Sequence, residues 1–482
     1  MKSNKKPRIN IIDIIKEENP EKGENLAVTR HVDDELIDSI TYAQLLKEVD
    51  KQSKILSRIG FKSHDRIALF CDDCIEYVIM ALAVLDTGAV IVPLSPSLAS
   101  NELEPLCRRI KIKYLLSQKN MDKFDFNKLY GSSLFVNKLY LYEIDTNVKY
   151  SDEYLKVSAP AFIRFSSGTT GESKGVLLTH EAIIDRTWAA DIMLNISSHD
   201  TIGWFLSMSF HFVVSILLFL RRRAHIVLAQ ENFPMGIIDS FKAIKPTFLY
   251  ASPFHYNLLA SHDNISAKLL SDVRMAVVTA VSLNKQTEQQ FFNKFNIHLS
   301  QAYGIIEVGL PFINDRFDKE YICSVGKLLP SYELKIKEPD ARGQGRIFLR
   351  GKGMYHAYTS PWKKRDQWFD TGDIGYLKDS YLFISGRSKN LINFAGMKIF
   401  PEEVEEVILS FDNIKEVRVF PEQHDIYGQL PIAQVVLASQ ESLDLFKLKQ
   451  HCLKQLDSYK IPKEFIEVQY IEKTDSQKIK RA

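Results

Sequence analysis

Residues 165–176 read FSSGTTGESKGV, with glycines and hydroxyl residues crowded around Glu172 and Lys174. The stretch follows directly on the apolar run APAFIRF at 159–165. Glycine lets backbone N–H groups turn toward a ligand, and hydroxyls with a lysine suit phosphate oxygens. A solvated turn has the same composition, so the loop alone leaves both readings open. The Walker-type P-loop is excluded by spelling. It needs glycine before its lysine and Ser/Thr after it, whereas Ser173 precedes Lys174 and Gly175 follows.

Outward from the loop, short apolar runs alternate with helical patterns. DRIALFC, AVIVPLSP, TFLYASP, VRMAVVTA and IHLSQAYG read as strands; EYVIMALAVLDTG, NELEPLCRRI, FHYNLLASH and NKQTEQQFFNKF read as helices. Strands spaced by helices of this length predict parallel sheets flanked by helices. The last hundred or so residues change rhythm. PEEVEEVILSF puts Pro401 at a helix start with Val404, Val407, Ile408 and Phe411 on one face. VRVFPE and AQVVLAS read as strands, and Leu445, Leu448, Cys452 and Leu456 mark a last amphipathic helix. The expected architecture is a large α/β domain over 1–387 and a small α+β domain over 388–482, with a ligand between them.

Composition sets bounds on function. The 62 basic and 60 acidic residues nearly cancel, which gives no field for nucleic acid or anionic lipid. The start, MKSNKKPRIN, is basic without a following apolar segment of secretory type, so a cytoplasmic protein is expected. VIMALAVLDTGAVIVPL contains Asp86, Gly88 and Pro93 and reads as helix–turn–strand, and FVVSILLFLRRR reads as a buried helix with a charged end. No transmembrane segment is expected. Cys71 and Cys74 form a lone CxxC with no second pair, and structural thiols are expected in place of a metal site.

Four more segments follow the loop in order: QAYGIIEVGL at 301–310, WFDTGDIGY at 368–376, GRSKNLINFAGMKIFPEEVE at 386–405 and TDSQKIKRA at 474–482. WFDTGDIGY is expected to hold Asp373 in a tight turn. With these five segments the sequence resembles the adenylate-forming (AMP-binding) superfamily of acyl-CoA synthetases, luciferases and peptide-synthetase adenylation domains, from SITYAQL at 39–45 to Lys478. The resemblance implies a large N-terminal domain with a mobile C-terminal lid. It also implies a reaction of carboxylate with ATP to acyl-adenylate and pyrophosphate, then thiol attack to a thioester.

It further implies roles. Ser166, Ser167, Gly168, Thr169, Thr170, Gly171 and Lys174 would wrap the β- and γ-phosphates. Glu307 would bind Mg²⁺, with Ser166 able to join it; a hard cation takes such oxygens beside phosphates. Tyr303 would offer adenine a flat face, and the backbone of Gln301, Ala302 and Gly304 its polar edge. Asp373 would accept from both ribose hydroxyls and Arg387 donate to the ribose. Lys478 would span carboxylate and α-phosphate. Such a reaction needs alignment and charge neutralisation more than a side-chain base. Lys389 falls at the hinge position, where a plain surface lysine is also compatible.

Departures from the family pattern are Ile306 for a threonine, Ser173 for a proline, VVTAVSL at 277–283 for a glycine-rich stretch, and Gln477 for a glycine. Relatives that activate amino acids carry an acid for the substrate ammonium, usually in the segment SMSFHFVVSILLFL. Residues 201–230 contain no Asp or Glu, and a buried unpaired ammonium is prohibitive. The expected substrate is therefore an apolar carboxylic acid, aliphatic or aromatic. His211, Phe212, Ser215, Thr279, Ala280, Ile305 and Pro311 are the pocket candidates, His211 being either a gate or a core histidine. CoA is the expected thiol. A carrier-protein phosphopantetheine, a reaction that stops at the adenylate, and an inactive nucleotide-binding homologue stay open.

Overall fold

The computed structural model describes residues 10–18, 24–32, 35–98, 100–130, 139–166, 174–229, 235–395, 397–424, 426–439, 441–473 and 479–481. Two large sheets share one core. The first has nine strands. Its centre is parallel and buried on both faces: Arg66–Phe70 lies between Val90–Pro93 and Tyr114–Ser117. The largely apolar spelling of these strands reflects that double burial. Helix Ile75–Thr87 covers the sheet; the Cys74 sulfur accepts from Tyr77 N–H at its start, and Gly88 ends it in the left-handed conformation. Cys71, Cys74, Cys107 and Cys452 are buried free thiols and Cys323 is partly buried. Cys74 thus serves as a helix cap.

The second sheet has thirteen strands. Thr201–Trp204, His225–Leu228, Phe248–Ala251, Met275–Val278 and Leu299–Ile305 run parallel. Beyond them the sheet continues antiparallel through Gly309–Ile313, Gly326–Leu328, Tyr381–Arg387, Phe369–Lys378, Gly345–Gly351 and Tyr332–Lys337. The helix-spaced pattern applies only to the parallel half, because antiparallel neighbours need only a short turn. Asp373 accordingly lies inside the strand Phe369–Lys378 and not in an isolated tight turn. A turn-like kink is nonetheless there: Gly372 has φ +72, and the Thr371 hydroxyl accepts from the Asp373 N–H at 3.0 Å.

FVVSILLFLRRR is helical and buried, opening with a π-helical turn at Phe212–Ile216 before helix Leu217–Arg221. Its charged end is partly internal: Arg221 is fully buried, 3.3 Å from Asp191 and stacked on Trp188. Among the described residues no helix is long and apolar enough to cross a membrane.

Residues from Ile392 onward build a separate five-stranded sheet with its own core of Ile392, Val404, Ile408, Val417, Ala433, Leu448 and Cys452. Helix Pro401–Leu409 begins at Pro401 as expected. The two strands are longer than their motifs, Ile414–His424 and Gly428–Leu437. Helix Leu445–Leu453 is capped by Asp444, which leaves Leu445 44% exposed, and Leu456 lies past its end. The chain thus has a large multi-sheet α/β unit and a small α+β unit.

Candidate active site

The opening motif is flanked by two neighbouring strands of the nine-stranded sheet. Strand Pro160–Ser166 leads into it and strand Lys174–Thr179 leaves it, Ser166 pairing with Lys174. A Cβ on Gly175 would stand 2.2 Å from the Thr359 hydroxyl and 2.7 Å from the Phe165 ring, so the close approach of three strands admits only glycine there. Residues Ser167, Gly168, Thr169, Thr170, Gly171 and Ser173 lie outside the described residues, as does the side chain of Ser166.

Glu307 stands in the turn between strands Leu299–Ile305 and Gly309–Ile313. Its carboxylate accepts from the Tyr358 hydroxyl at 3.0 Å, and the Lys174 ammonium lies 5.7 Å from the centre of the same Tyr358 ring. Burial first, and then the Glu307 carboxylate, raise the Tyr358 phenol far above its usual range. The backbone of the turn is pinned twice. Tyr355 N–H donates to the Glu307 carbonyl at 2.7 Å, and the buried Arg186 guanidinium donates to the carbonyls of Ile306 at 3.2 Å and Gly353 at 2.6 and 3.0 Å. Among the described residues no three His, Cys, Asp or Glu groups gather into a metal cage. A single carboxylate fits a cation that takes most of its oxygens from phosphate and water. Glu307 would hold such an Mg²⁺, which would supply positive charge to phosphate oxygens.

Asp373 and Arg387 are direct cross-strand partners, and Arg387 Nε donates to Asp373 Oδ1 at 2.8 Å. The other carboxylate oxygen accepts from the Tyr303 hydroxyl. Burial first, and then the Asp373 charge, push the Tyr303 phenol up. Tyr303, Asp373 and Arg387 are therefore one hydrogen-bonded set across three strands, with Asp373 buried and Arg387 exposed. On the strand that carries Tyr303, Gln301 and Ala302 are buried and Gly304 is exposed.

His211, Ser215 and Thr279 gather around Tyr250. The His211 ring lies edge-on to Trp204 and Tyr250, at 6.1 and 6.4 Å, and those two rings stack at 5.7 Å. Burial raises the Tyr250 phenol while the neighbouring Ser215 and Thr279 hydroxyls pull against it. Phe212 turns instead to Tyr77, 5.6 Å away. Pro311 is buried in the antiparallel partner strand, and Ile305 ends the strand beside it. Ala280 has φ +74, the left-handed region that glycine adopts freely and alanine only at a cost. Ala280→Gly should stabilise the protein by about 0.5–1 kcal/mol, strain relief less the extra backbone entropy of glycine. Thermal unfolding reads this directly; a lowered Tm would contradict it.

Lys389 is exposed in the short 3₁₀ turn Ser388–Asn390 that joins the two units. The turn is tied to both sides: Ser388 donates to the Gly372 carbonyl at 3.0 Å and Asn390 to Glu402 at 3.1 Å. Lys478 is outside the described residues. Tyr358, Arg164, Arg186, Trp204 and Tyr250 are site neighbours that sequence reasoning did not select. Only Arg164 carried a signal, as a charge within the apolar run APAFIRF.

Residues 17–359 match the family of AMP-binding enzymes, and residues 403–478 match the AMP-binding enzyme C-terminal domain. The chain belongs to the AMP-binding enzyme family. It is 27% identical to 4-coumarate:CoA ligase 1 of Petunia hybrida, over 92% of this chain and 88% of the relative. It is also 27% identical to 2-succinylbenzoate–CoA ligase of Listeria monocytogenes, over 92% and 93%. The fold is that of ATP-bound MatB from Rhodopseudomonas palustris, with TM-score 0.81 and 20% identity over 98% of this chain and 97% of that one. The o-succinylbenzoate CoA synthetase of Bacillus subtilis, in complex with its acyl-adenylate, gives TM-score 0.78 and 21% identity over 98% and 96%.

Proposed function

We propose that this member of the family activates a carboxylic acid with ATP and passes the acyl group to the thiol of CoA. The carboxylate oxygen attacks the α-phosphorus, the bond to the β-phosphate oxygen breaks, and pyrophosphate leaves. The thiol then adds to the acyl carbon, loses its proton, and AMP departs. The observation that carries this reading is the pairing of Glu307, tied to Tyr358 near Lys174, with the Tyr303–Asp373–Arg387 set. The first group suits phosphates and their cation, and the second suits a nucleoside. Catalysis there is alignment and charge neutralisation.

Two features bear on the acid. No Asp or Glu occurs in 201–230, the segment that carries Trp204, His211 and Ser215, which disfavours an ammonium. Trp204 Nε1, which is buried, completes no hydrogen bond with a described residue. Buried donors of this kind call for a partner. Because indole N–H can only donate, the fitting acid is an apolar, aromatic or aliphatic body that carries an acceptor oxygen. Names of relatives that include coumarate and succinylbenzoate agree with that.

Pyrophosphate release with a panel of acids tests it. Cinnamate and hexanoate should far exceed phenylalanine and leucine, and 4-hydroxycinnamate should exceed cinnamate about 5–10-fold, the worth of one net hydrogen bond. Leucine or phenylalanine ahead of its deaminated counterpart would overturn the substrate reading. Running the panel with CoA and with a holo carrier protein separates the two acceptors. No release with any acid would favour an inactive nucleotide-binding homologue.

A further inference from the structure

The nine-stranded sheet presents one further cation to this site. Arg164 and Tyr358 both pair with Val176, one from each neighbouring strand, so the three form a single cross-strand row on one face. Tyr358 reaches Glu307 from that row. Among the described residues Arg164 closes no salt bridge. Its Nη1 donates to the Phe210 carbonyl at 3.2 Å and its guanidinium stacks on the Phe210 ring at 4.6 Å. Glu307 is, among the described residues, the carboxylate whose charge reaches it, and a guanidinium keeps its charge throughout the physiological range. Arg164 is therefore cationic at neutral pH. It lies between the carboxylate suited to phosphates and Phe210, the neighbour of His211. That is the interval in which an acid bound near His211 would meet an α-phosphorus bound near Glu307.

We propose that Arg164 is an anion-binding catalytic residue that holds the α-phosphoryl oxygens in both half-reactions. The inference rests on the acid-activating reading above. In adenylation Arg164 offsets the charge on the α-phosphoryl group while the carboxylate forms its bond to phosphorus and pyrophosphate leaves. In thiol transfer it offsets the charge on AMP as the acyl–oxygen bond breaks and the phosphate keeps the electron pair. Arg164 forms no covalent bond and gives up no proton. It stands on a strand near the middle of a packed sheet, beside strand Val90–Pro93, so it stays in place whatever the small C-terminal unit does. Its planar fork suits phosphate oxygens better than a single ammonium does. Ile306 leaves the adjoining turn without a side-chain hydroxyl, and Arg164 supplies donors from the facing sheet.

The experiment compares AMP with adenosine by calorimetry in the full-length protein and in Arg164→Gln, which can still donate to the Phe210 carbonyl. The unmodified protein should prefer AMP, and Arg164→Gln should cut AMP affinity about 10-fold while adenosine affinity holds, the scale of one charge-assisted hydrogen bond. Arg164→Lys should recover part of the loss. With a substrate acid, and then with synthetic acyl-adenylate and CoA, Arg164→Gln should slow both half-reactions. An unchanged preference for AMP, or equal weakening of AMP and adenosine, would overturn the role. If the unmodified protein binds neither nucleoside, the functional reading itself fails. If Arg164→Gln does not fold, Arg164→Lys carries the comparison, since loss of the fork alone should lower AMP affinity selectively.

Discussion

Asp373→Ala should weaken ATP binding by about 1.5–3 kcal/mol, the range for hydrogen bonds to a charged group. The carboxylate is buried and already engaged, Oδ1 by Arg387 at 2.8 Å and Oδ2 by the Tyr303 hydroxyl. An ionised carboxylate has about four lone-pair sites. A carboxylate can accept from two vicinal ribose hydroxyls, one on each oxygen. The protein donors also set the plane of the carboxylate, so the nucleoside meets a pre-oriented acceptor. Removing Asp373 strips Arg387 and Tyr303 of their common partner, and part of any loss would reflect their rearrangement. Asp373→Asn separates the two effects because it keeps the shape and removes the charge. Calorimetry on both variants, with folding checked by circular dichroism, decides the matter. Affinity unchanged in Asp373→Ala would place Asp373 outside the nucleotide site.

The parallel strands, their covering helices and the change of rhythm after residue 390 were legible because each depends on neighbours in sequence. The Asp373–Arg387 pair was legible as two residue types in two motifs, and the register of two strands makes them partners. The Thr-Gly-Asp spelling pointed to a turn. Its local signs are real, a left-handed glycine and a Thr371 side-chain bond, but pairing with Tyr381–Arg387 absorbs them into a strand. Tyr358 could not have been found. Its link to Glu307 spans 51 residues and two different sheets, and YHAYTS gives no chemical hint. Arg186 was hidden for a similar reason. A buried arginine that binds carbonyls looks in sequence like any helix-surface arginine, yet it fixes the Glu307 turn. Leu445 shows the limit of periodicity, since the cap at Asp444 sets where the helix starts and which face meets the core.

Lys478→Ala should reduce adenylate formation by roughly 10²–10³-fold, the scale for losing one preorganised charge-stabilising donor. It should leave thioester formation from synthetic acyl-adenylate near the unmodified rate. The argument rests on where the lysine is attached. Residues on either side of 474–478 are fixed to the small C-terminal unit: Lys473 pairs with Ile479, and the Lys480 N–H donates to the Glu472 carbonyl at 2.9 Å. Arg481 reaches the buried Glu405 at 2.5 Å and the Val419 carbonyl at 3.2 Å. Lys478 therefore travels with that unit. The unit joins the rest of the chain through Ser388–Asn390, a turn of three residues that can absorb a rotation. If the unit turns once pyrophosphate has gone, Lys478 leaves the reacting phosphorus and cannot assist the thiol. Arg164, fixed in the sheet, stays. The two variants thus have different signatures, Lys478→Ala slowing one half-reaction and Arg164→Gln both. Full adenylation activity in Lys478→Ala would remove the lysine from the chemistry. Equal loss in both half-reactions would place its effect in the packing of the small unit, through the same contacts that anchor Ile479 and Arg481.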